Sequence, residues 1–437
     1  MYGPNIELMM ILFSALGLGM LALALVSKEL AQRVRLGGQG RLFLACGLGL
    51  GVFALSIKAG VILYLEATNP NLASARLAQT VPLPPQSPKS TKVVTLPAQL
   101  AKSGNWSTWQ ALPRIAKAPA NNPQSLAKAK LGKKLFFDKN LSIDRTVSCA
   151  SCHDLEAGGD DNAPVSTGVG GQKGGVSAPT VLNAAFLTRL FWDGRAASLE
   201  DQAKQPFINP VEMAMPHWQA VEERVKANDD YAPMFERAFG QEARIDIDAI
   251  AKAIASYERL LITPNAPYDR FIAGDDTALN AQQLRGMALF QEVGCRTCHI
   301  DPVFSAAGQV KNIGTYRSFP VFADNSYVTK YDLLVDGEPS VWRVPSLRNI
   351  AQTGPYFHNG AVKDLKEAIR IMAVSQLGKV ISDDPSDDLA ISSVSVGEAQ
   401  NQRRLTILRD QALNSQDIED LEAFLKSLSG DVSELNF

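Results

Sequence analysis

The chain has 437 residues, and 46% of them are hydrophobic, which is enough apolar material for the cores of two or three domains. Its formal net charge is −2, so it lacks the basic excess that is typical of nucleic-acid-binding proteins. The charge therefore argues against a nucleic-acid partner and gives little information about any other partner.

Two apolar runs near the N-terminus, Leu8–Val26 and Leu42–Leu65, are each long enough to cross a bilayer as a helix. The second is interrupted only by Lys58, whose aliphatic stem can carry the ammonium to the membrane surface. The loop between the runs contains three arginines and one lysine against one glutamate, which places this loop in the cytoplasm. A cleaved signal peptide is the alternative for the first run, but residues 1–7 contain no lysine or arginine. The sequence predicts a membrane anchor over residues 1–65, with the remaining chain in the periplasm.

Residues 66–120 are rich in Ala, Ser, Thr and Pro, and they include the prolines Pro82, Pro84, Pro85 and Pro88. This composition is typical of an extended polyproline spacer. The alternative, a folded domain, is disfavoured because the segment has no sustained hydrophobic periodicity. The sequence predicts a periplasmic linker here.

Four of the five cysteines lie in two C-x-x-C-H runs, 149–153 and 295–299. This spacing is the haem c attachment signature: two thiols bond to the vinyl groups of one haem, and the adjacent imidazole becomes an axial iron ligand. A structural zinc site would need four ligands that close a tetrahedron, and a redox dithiol has no use for the histidine. The sequence predicts two covalently bound haems c, attached through Cys149, Cys152 and His153 and through Cys295, Cys298 and His299.

From about Leu126 the chain reads as helices joined by long loops. Apolar residues at helical spacing precede both haem motifs, and a further stripe over 418–428 ends at Gly430. No pair of alternating strands joined by a tight turn stands out. Because helix, haem motif, loops and closing helix occur twice, the sequence predicts an all-α fold with two cytochrome c-like haem domains, residues 121–270 and 271–437.

Further motifs lie between and after the haem motifs: APTVLNAAF (178–186), FWDGRAASLEDQA (191–203), NPVEM (209–213), VPSLRN (344–349), TGPYFHNG (353–360) and MAVSQLG (372–378). In this order they resemble the bacterial dihaem cytochrome c peroxidases, a family that includes the MauG-like enzymes. The resemblance covers roughly Leu126 to Gly430. It implies a peroxidatic haem in the N-terminal domain and an electron-receiving haem in the C-terminal domain.

By this resemblance, His153 is the proximal ligand of the peroxidatic haem, and His299 and Met372 ligate the second haem. A His/Met pair raises the haem potential, which suits an electron-accepting centre. The alternative for Met372 is ordinary helix packing. Trp192 matches the family's tryptophan between the haems and is interpreted as an electron relay, with core packing as the alternative.

Glu212 and Gln202 match the family's distal-pocket acid and amide. A carboxylate beside the peroxidatic haem can move a proton between the two peroxide oxygens, and an amide can hold peroxide or product water. Burial would raise the pKa of the carboxyl group towards working pH. The alternative is that both are ordinary polar residues near a helix start.

The resemblance also implies one calcium ion, held by an asparagine side chain and two backbone carbonyls. The carbonyl positions match Thr353 and Pro355, but Ser177 stands at the asparagine position, and a hydroxyl is a weaker ligand for this cation. His358 matches a family histidine near the domain interface and is predicted to be structural. His217 matches no family role and is predicted to lie at the surface.

Two departures from the family pattern are informative. Many members have a histidine in S-x-G-H that ligates the resting peroxidatic iron, and Val169 stands there in this chain. The sequence therefore predicts that the first haem is five-coordinate or water-bound as isolated and needs no reductive activation. The second departure is an insertion over 379–412 with an acidic run at 383–388, predicted as a solvated loop. A docking surface for a basic donor cytochrome is the alternative.

The resemblance implies an enzyme that reduces hydrogen peroxide to water with electrons from a cytochrome c or a quinol. It would lie at the inner membrane with its haem domains in the periplasm, and dimers are common in the family. Two other functions stay open. A MauG-like oxidase would modify a partner protein, but in MauG a tyrosine replaces the distal methionine, so Met372 favours the peroxidase. A dihaem electron-transfer cytochrome would have two six-coordinate haems.

Overall fold

The computed structural model describes residues 106–384 and 412–430, which belong to one compact unit of the chain. Both predicted membrane helices, 8–26 and 42–65, lie outside the described residues, as do residues 385–411 of the predicted insertion. Within the described ranges, no helix is long and apolar enough to cross a bilayer. This part of the chain is mostly helical, as predicted.

The helices are, in chain order, α1 (Leu126–Phe137), α2 (Cys149–Cys152), α3 (Leu199–Gln202), α4 (Gln205–Ile208), α5 (Trp218–Lys226), α6 (Tyr231–Phe239), α7 (Ile247–Glu258), α8 (Pro267–Ile272), α9 (Ala281–Glu292), α10 (Ser326–Lys330), α11 (Leu365–Ile371) and α12 (Ser415–Lys426). The strands are β1 (Tyr316–Phe319) and β2 (Ser340–Arg343). Short 3₁₀ turns cover Lys139–Leu141, Val169–Gly171, Ala184–Phe186, Cys295–Thr297 and Ile350–Gln352, and a π-helical turn covers Met372–Gln376.

Each haem motif follows a helix that crosses a later helix at a glycine. Gly132 of α1 lies so close to α7 that a Cβ atom there would be 1.9 Å from the carbonyl oxygen of Ala253. Gly286 of α9 approaches α12 in the same way, with the corresponding Cβ position 1.8 Å from the carbonyl oxygen of Asp420. In both helices this glycine begins the pattern G-x-x-L-F. The two halves therefore repeat the same kind of helix pair. In each pair the helices can approach this closely only because the residue at the crossing has no Cβ atom.

Two hydrophobic cores form around these helix pairs. The first core packs α1 against α7, with Phe207 and Tyr257 fully buried in it. The second core packs α9 against α12 and contains an aromatic cluster of Tyr268, Phe304 and Phe424. These ring centroids lie 5.0 to 6.2 Å apart in edge-to-face contacts, a favourable arrangement for aromatic pairs. Each haem motif thus lies beside its own core.

A short antiparallel sheet corrects the prediction of a purely helical fold. β1 pairs with β2, with Tyr316 opposite Arg343 and Phe319 opposite Ser340. The sequence analysis found no strand pair because each strand has only four residues and no tight turn joins them. One face of this sheet contributes to the wall of the cavity described below.

The predicted linker, residues 66–120, also needs correction at its C-terminal end. Residues 106–116 pack against the second core and the cluster beside it, and only 4% of Trp109 is exposed. The backbone N–H of Leu112 donates a hydrogen bond of 2.8 Å to the carboxylate of Asp269. The linker was predicted because the segment has no hydrophobic periodicity. A segment that packs through a few separate side chains has no such periodicity, so its packing could not be predicted in this way.

The two halves meet at a buried polar network of Asn183, Thr263 and Asn349. The Thr263 hydroxyl donates a bond of 2.7 Å to Asn349 Oδ1, and Asn183 Nδ2 donates to Thr263 Oγ1 at 2.9 Å and to Asn349 Oδ1 at 3.3 Å. Both asparagines have a left-handed backbone, with φ of 62° and 59°. They end the motifs APTVLN and VPSLRN, which share the pattern P-[ST]-x-x-N. The junction is therefore built from two copies of one motif.

Candidate functional site

The second haem motif presents an imidazole that is ready to bind a metal. His299 follows the 3₁₀ turn Cys295–Thr297 and is only 8% exposed. Its Nδ1 lies 3.1 Å from the carbonyl oxygen of Phe304, so Nδ1 carries the proton and Nε2 keeps its lone pair. Burial lowers the pKa of His299 to about 4, which keeps the ring neutral at physiological pH. A neutral, oriented imidazole is what iron ligation requires.

A cavity opens in front of this imidazole, and Met372 lies on its wall together with Cys295, Cys298 and His299. Met372 begins the π-helical turn that follows α11, and such turns often mark functional positions. The structure thus brings together both thiols, the imidazole and the thioether predicted for the second haem.

The polarity of the cavity wall fits a haem. Most of its lining is apolar, as a macrocycle requires, and the lining also includes Arg317, Trp342 and Gln376. Within the described residues, Arg317 Nε, Trp342 Nε1 and Gln376 Oε1 are buried without a hydrogen-bond partner. Buried polar atoms are normally satisfied, so these three indicate a polar group that the protein atoms do not supply. The carboxylates of a haem could accept hydrogen bonds from the two donors, Arg317 Nε and Trp342 Nε1, whereas Gln376 Oε1 is itself an acceptor and needs a donor.

The first haem motif has the same local design. Cys149 to Cys152 form α2, and the following His153 has its Nδ1 3.2 Å from the carbonyl oxygen of Gly159. Burial lowers the pKa of His153, so this imidazole is also neutral with Nε2 free. Both histidines therefore use Nδ1 for a backbone carbonyl and keep the opposite nitrogen for iron.

Val169 and Glu212 lie next to each other. The backbone N–H of Val169 donates a hydrogen bond of 3.0 Å to the carbonyl oxygen of Glu212. Gly168 makes this contact possible, because a Cβ atom there would lie 1.8 Å from the carbonyl oxygen of Val211. Val169 itself is 3% exposed and belongs to the first core. The residue at the family's histidine position therefore packs as an ordinary apolar side chain beside the predicted acid.

The Glu212 carboxyl group has a raised pKa, mainly because it is partly buried, with opposing effects from the Arg195 guanidinium and from Asn209. Asn209 Nδ2 donates a hydrogen bond of 2.7 Å to Glu212 Oε1. Gln202 ends α3 and is partly buried, and among the described residues its side chain forms no hydrogen bond with Glu212. The carboxyl group is thus oriented by Asn209, which the sequence analysis missed although it lies in the NPVEM motif.

Trp192 lies in an aromatic cluster between the halves. Its Nε1 donates a hydrogen bond of 2.8 Å to the carbonyl oxygen of Ser177, and its ring meets Trp342 edge-on at 6.1 Å. Trp342 in turn stacks on His358, with ring centroids 4.8 Å apart and planes 23° apart. All three rings line the cavity of the second haem motif. The sequence analysis missed Trp342, which lies just before the VPSLRN motif.

The two remaining histidines, His217 and His358, are engaged in other contacts. His358 is 6% exposed and lies in the aromatic cluster. His217 is exposed and caps α5, where its Nδ1 accepts a hydrogen bond of 3.1 Å from the backbone N–H of Ala220. Neither of these contacts involves Val169.

The residues predicted for calcium, Ser177, Thr353 and Pro355, line the same cavity, and so does Asp160. The described residues contain no group of three or more His, Cys, Asp or Glu that could hold a metal ion. A cation here would therefore have backbone, hydroxyl and carboxylate oxygens available, which suits calcium. Burial raises the pKa of Asp160 to about 7. The sequence analysis did not consider Asp160.

Comparison with known proteins gives consistent matches. A family model of di-haem cytochrome c peroxidases matches residues 126–277. Cytochrome c551 peroxidase of Pseudomonas aeruginosa is 39% identical over 282 residues, which are 61% of this chain and 78% of that protein. Methylamine utilization protein MauG of Methylorubrum extorquens is 37% identical over 263 residues, which are 59% of this chain and 71% of that protein. The crystal structure of a MauG-like protein associated with microbial copper homeostasis is 28% identical, has a TM-score of 0.59, and is matched over 75% of this chain and 96% of that chain.

Proposed function

This chain belongs to the di-haem cytochrome c peroxidase family, and on that premise we propose that it reduces hydrogen peroxide to water at its first haem, with electrons that enter at the second. It is a c-type oxidoreductase with covalently bound haem. When bound, the haems supply one-electron redox chemistry and an iron that can accept a peroxide oxygen. The protein must provide ligands, a proton relay and a path for electrons.

The observation that carries this proposal is the contact between Val169 and Glu212. This backbone hydrogen bond joins a residue whose side chain has no lone pair to the residue whose carboxyl group has a raised pKa, in the half that contains His153. A carboxyl group whose pKa lies nearer to working pH accepts and returns a proton more readily than an ordinary glutamate does. We assign this proton transfer to Glu212, with Asn209 holding the carboxyl group in position. Gln202 is proposed to hold peroxide or product water.

The first haem is proposed to be five-coordinate or water-bound as isolated. Val169 cannot ligate iron, and both His217 and His358 are engaged elsewhere. Peroxide would then bind without prior reduction of the second haem. A dihaem electron-transfer cytochrome, in contrast, would keep both haems six-coordinate.

Electrons are proposed to enter at the haem held by His299 and Met372 and to pass by Trp192. Support comes from the presence of Met372 on the wall of the same cavity as the other predicted ligands of that haem. A thioether ligand raises the haem potential and suits an electron acceptor. The same residue favours a peroxidase over a MauG-like oxidase that would modify a partner protein.

The cellular setting is also part of the proposal. We infer an inner-membrane protein anchored by helices over 8–26 and 42–65, with haem domains over 121–270 and 271–437 in the periplasm. The two apolar runs, with Lys58 as their one charged residue, and the haem c attachment motifs support this arrangement. The electron donor would be a cytochrome c or a quinol, and the family suggests a homodimer. A calcium ion is proposed at Ser177, Thr353 and Pro355; in support, all three residues line one cavity and offer oxygen ligands.

The test is a peroxide turnover assay on the full chain in detergent, with reduced cytochrome c and a quinol as alternative donors. We expect turnover with at least one donor and no lag when the oxidised protein meets peroxide. Electron paramagnetic resonance of the resting protein should show a high-spin first haem. Absence of turnover with both donors would reject the peroxidase, and a low-spin bis-histidine signal at the first haem would reject the proposed ligation.

A further inference from the structure

Asp160 is a buried carboxylate without a charged partner. Only 5% of it is exposed, and its side chain accepts one hydrogen bond, of 3.3 Å, from the backbone N–H of Asn162. Among the residues that the structure describes, it forms no ion pair. An ionised carboxylate out of water is costly unless a cation or several donors compensate for the lost hydration. The groups around Asp160 therefore indicate which kind of cation would compensate for its charge.

The segment that carries Asp160 runs along a segment of the other half. At one end, a Cβ atom on Gly158 would lie 3.1 Å from the carbonyl oxygen of Gln352. At the other end, a Cβ atom on Gly360 would lie 2.3 Å from the carbonyl oxygen of Pro164. Asp160 lies between these two backbone contacts and lines the cavity. It is therefore held against the turn that contains the two proposed carbonyl ligands.

That turn offers free oxygen atoms. The carbonyl oxygens of Thr353 and Pro355 accept no hydrogen bond within the described residues, and both residues line the cavity. Ser177 lies beside the turn, because its backbone N–H donates a hydrogen bond of 2.7 Å to the carbonyl oxygen of His358. The residues that carry these two carbonyls, a hydroxyl and a carboxylate thus line one cavity.

This set of atoms selects a particular kind of cation. All of them are oxygen, and hard cations such as calcium take six to eight oxygen ligands, several of which can be water. Zinc and copper sites would use thiolate or imidazole, and the imidazole of His358, which follows the turn in the sequence, stacks on Trp342. Two carbonyls and a serine carry no formal charge, so without Asp160 the site would lack the anionic ligand that strengthens calcium binding.

We propose that Asp160 is the anionic ligand of a calcium ion between the two halves, and that it takes over the role lost by having Ser177 where a carboxamide would bind more strongly. This inference rests on the calcium site proposed above and adds a ligand to it. Because Asp160 and the turn of Thr353 and Pro355 belong to different halves, the ion would tie the halves together. Its removal would then loosen that contact without touching the haem ligands.

The first experiment measures calcium binding by isothermal titration calorimetry on the chelator-treated haem-containing protein, with calcium chloride alone as titrant. We expect one calcium ion per chain and an affinity at least tenfold weaker in Asp160→Asn. Glu156→Gln is the matched control, because it removes an exposed carboxylate from the same loop, and it should bind calcium like the wild type. Ser177→Asn should bind calcium more tightly, since it adds an amide oxygen.

The outcomes separate the two proposals. If the wild type binds no calcium, the proposed calcium site and the role of Asp160 are both wrong. If the wild type binds calcium and Asp160→Asn binds it equally well, only the role of Asp160 is wrong.

A second measurement distinguishes ligation from a merely structural role. Thermal unfolding in chelator should show Asp160→Asn to be at least as stable as the wild type, because the substitution removes an uncompensated buried charge. In excess calcium the order should reverse, since the wild type gains more from binding. A variant that is less stable than the wild type to the same degree in both conditions would overturn the inference.

Discussion

Replacing Glu212 with glutamine tests the proposed proton transfer with little change of shape. Glutamine keeps an oxygen for the hydrogen bond that Asn209 Nδ2 donates at 2.7 Å, so the local structure should hold. What the variant loses is the ability to accept a proton. General acid–base catalysis by one side chain typically contributes about 10²- to 10⁴-fold to the rate. Because Glu212 is only partly buried and water can partly replace it, we expect a loss of about 10²- to 10³-fold in kcat/KM for peroxide, or about 2.7 to 4.1 kcal/mol.

The pH dependence provides a second readout. The carboxyl group must be ionised to accept a proton, and its pKa is raised, so wild-type activity should fall on the acid side at a pH above the usual glutamate range. Glu212→Gln should lack this acid limb. The stability of the wild type, in contrast, should decrease as the pH rises. Because the pKa of the carboxyl group is raised in the folded protein, its contribution to the free energy of unfolding is lost as the pH rises through that pKa, and glutamine removes this pH-dependent loss. The variant should therefore be at least as stable as the wild type at neutral pH.

The assay is steady-state peroxide turnover across pH, with haem content measured by absorbance. Glu223→Gln, which changes an exposed glutamate of α5, is the matched control and should keep wild-type activity. A Glu212→Gln variant with full haem content and activity within threefold of the wild type would refute the assigned role.

Three other substitutions test separate parts of the structure. Val169→His should give a low-spin first haem by electron paramagnetic resonance and a lag before peroxide turnover that prior reduction removes. An unchanged high-spin signal would contradict the proposal that residue 169 stands at the position of the family's iron-ligating histidine. Met372→Leu should lower the midpoint potential of the second haem in a redox titration, and an unchanged potential would exclude Met372 as a ligand. Gly132→Ala should lower the free energy of unfolding by about 3 kcal/mol in a denaturant titration, because the added methyl group meets the Ala253 carbonyl oxygen. Gly175→Ala, with no atom within 4 Å of the new methyl group, is its control.

The sequence was most informative where chemistry needs a fixed local spacing. The haem motifs, the helices before them and the final helix could be predicted because their signals lie within a few residues of each other. The short sheet of β1 and β2 could not, since its strands are brought together only by tertiary packing. The packing of Trp109 was missed for the same reason: a single side chain that fills a distant core leaves no local pattern.

Within the site, the motifs pointed to individual residues but did not give their hydrogen-bond partners. Asn209 was missed because its role is visible only in its hydrogen bond to Glu212. Asp160 was missed because acidic residues in loops are usually solvated, and its burial depends on a segment almost 200 residues away. The pairing of Asn183 with Asn349 could have been found from the repeated pattern P-[ST]-x-x-N.

That asparagine pair has a consequence for how electrons travel through the molecule. Each asparagine is fewer than 60 residues from its haem motif, and both are closed off from water by the protein around Thr263. Sliding one half past the other would break several hydrogen bonds that water could not replace during the motion. The tunnelling distance between the two cofactors should therefore stay constant in every oxidation state. Transfer between them would then be governed by driving force and reorganisation energy, with the scaffold acting as a rigid spacer.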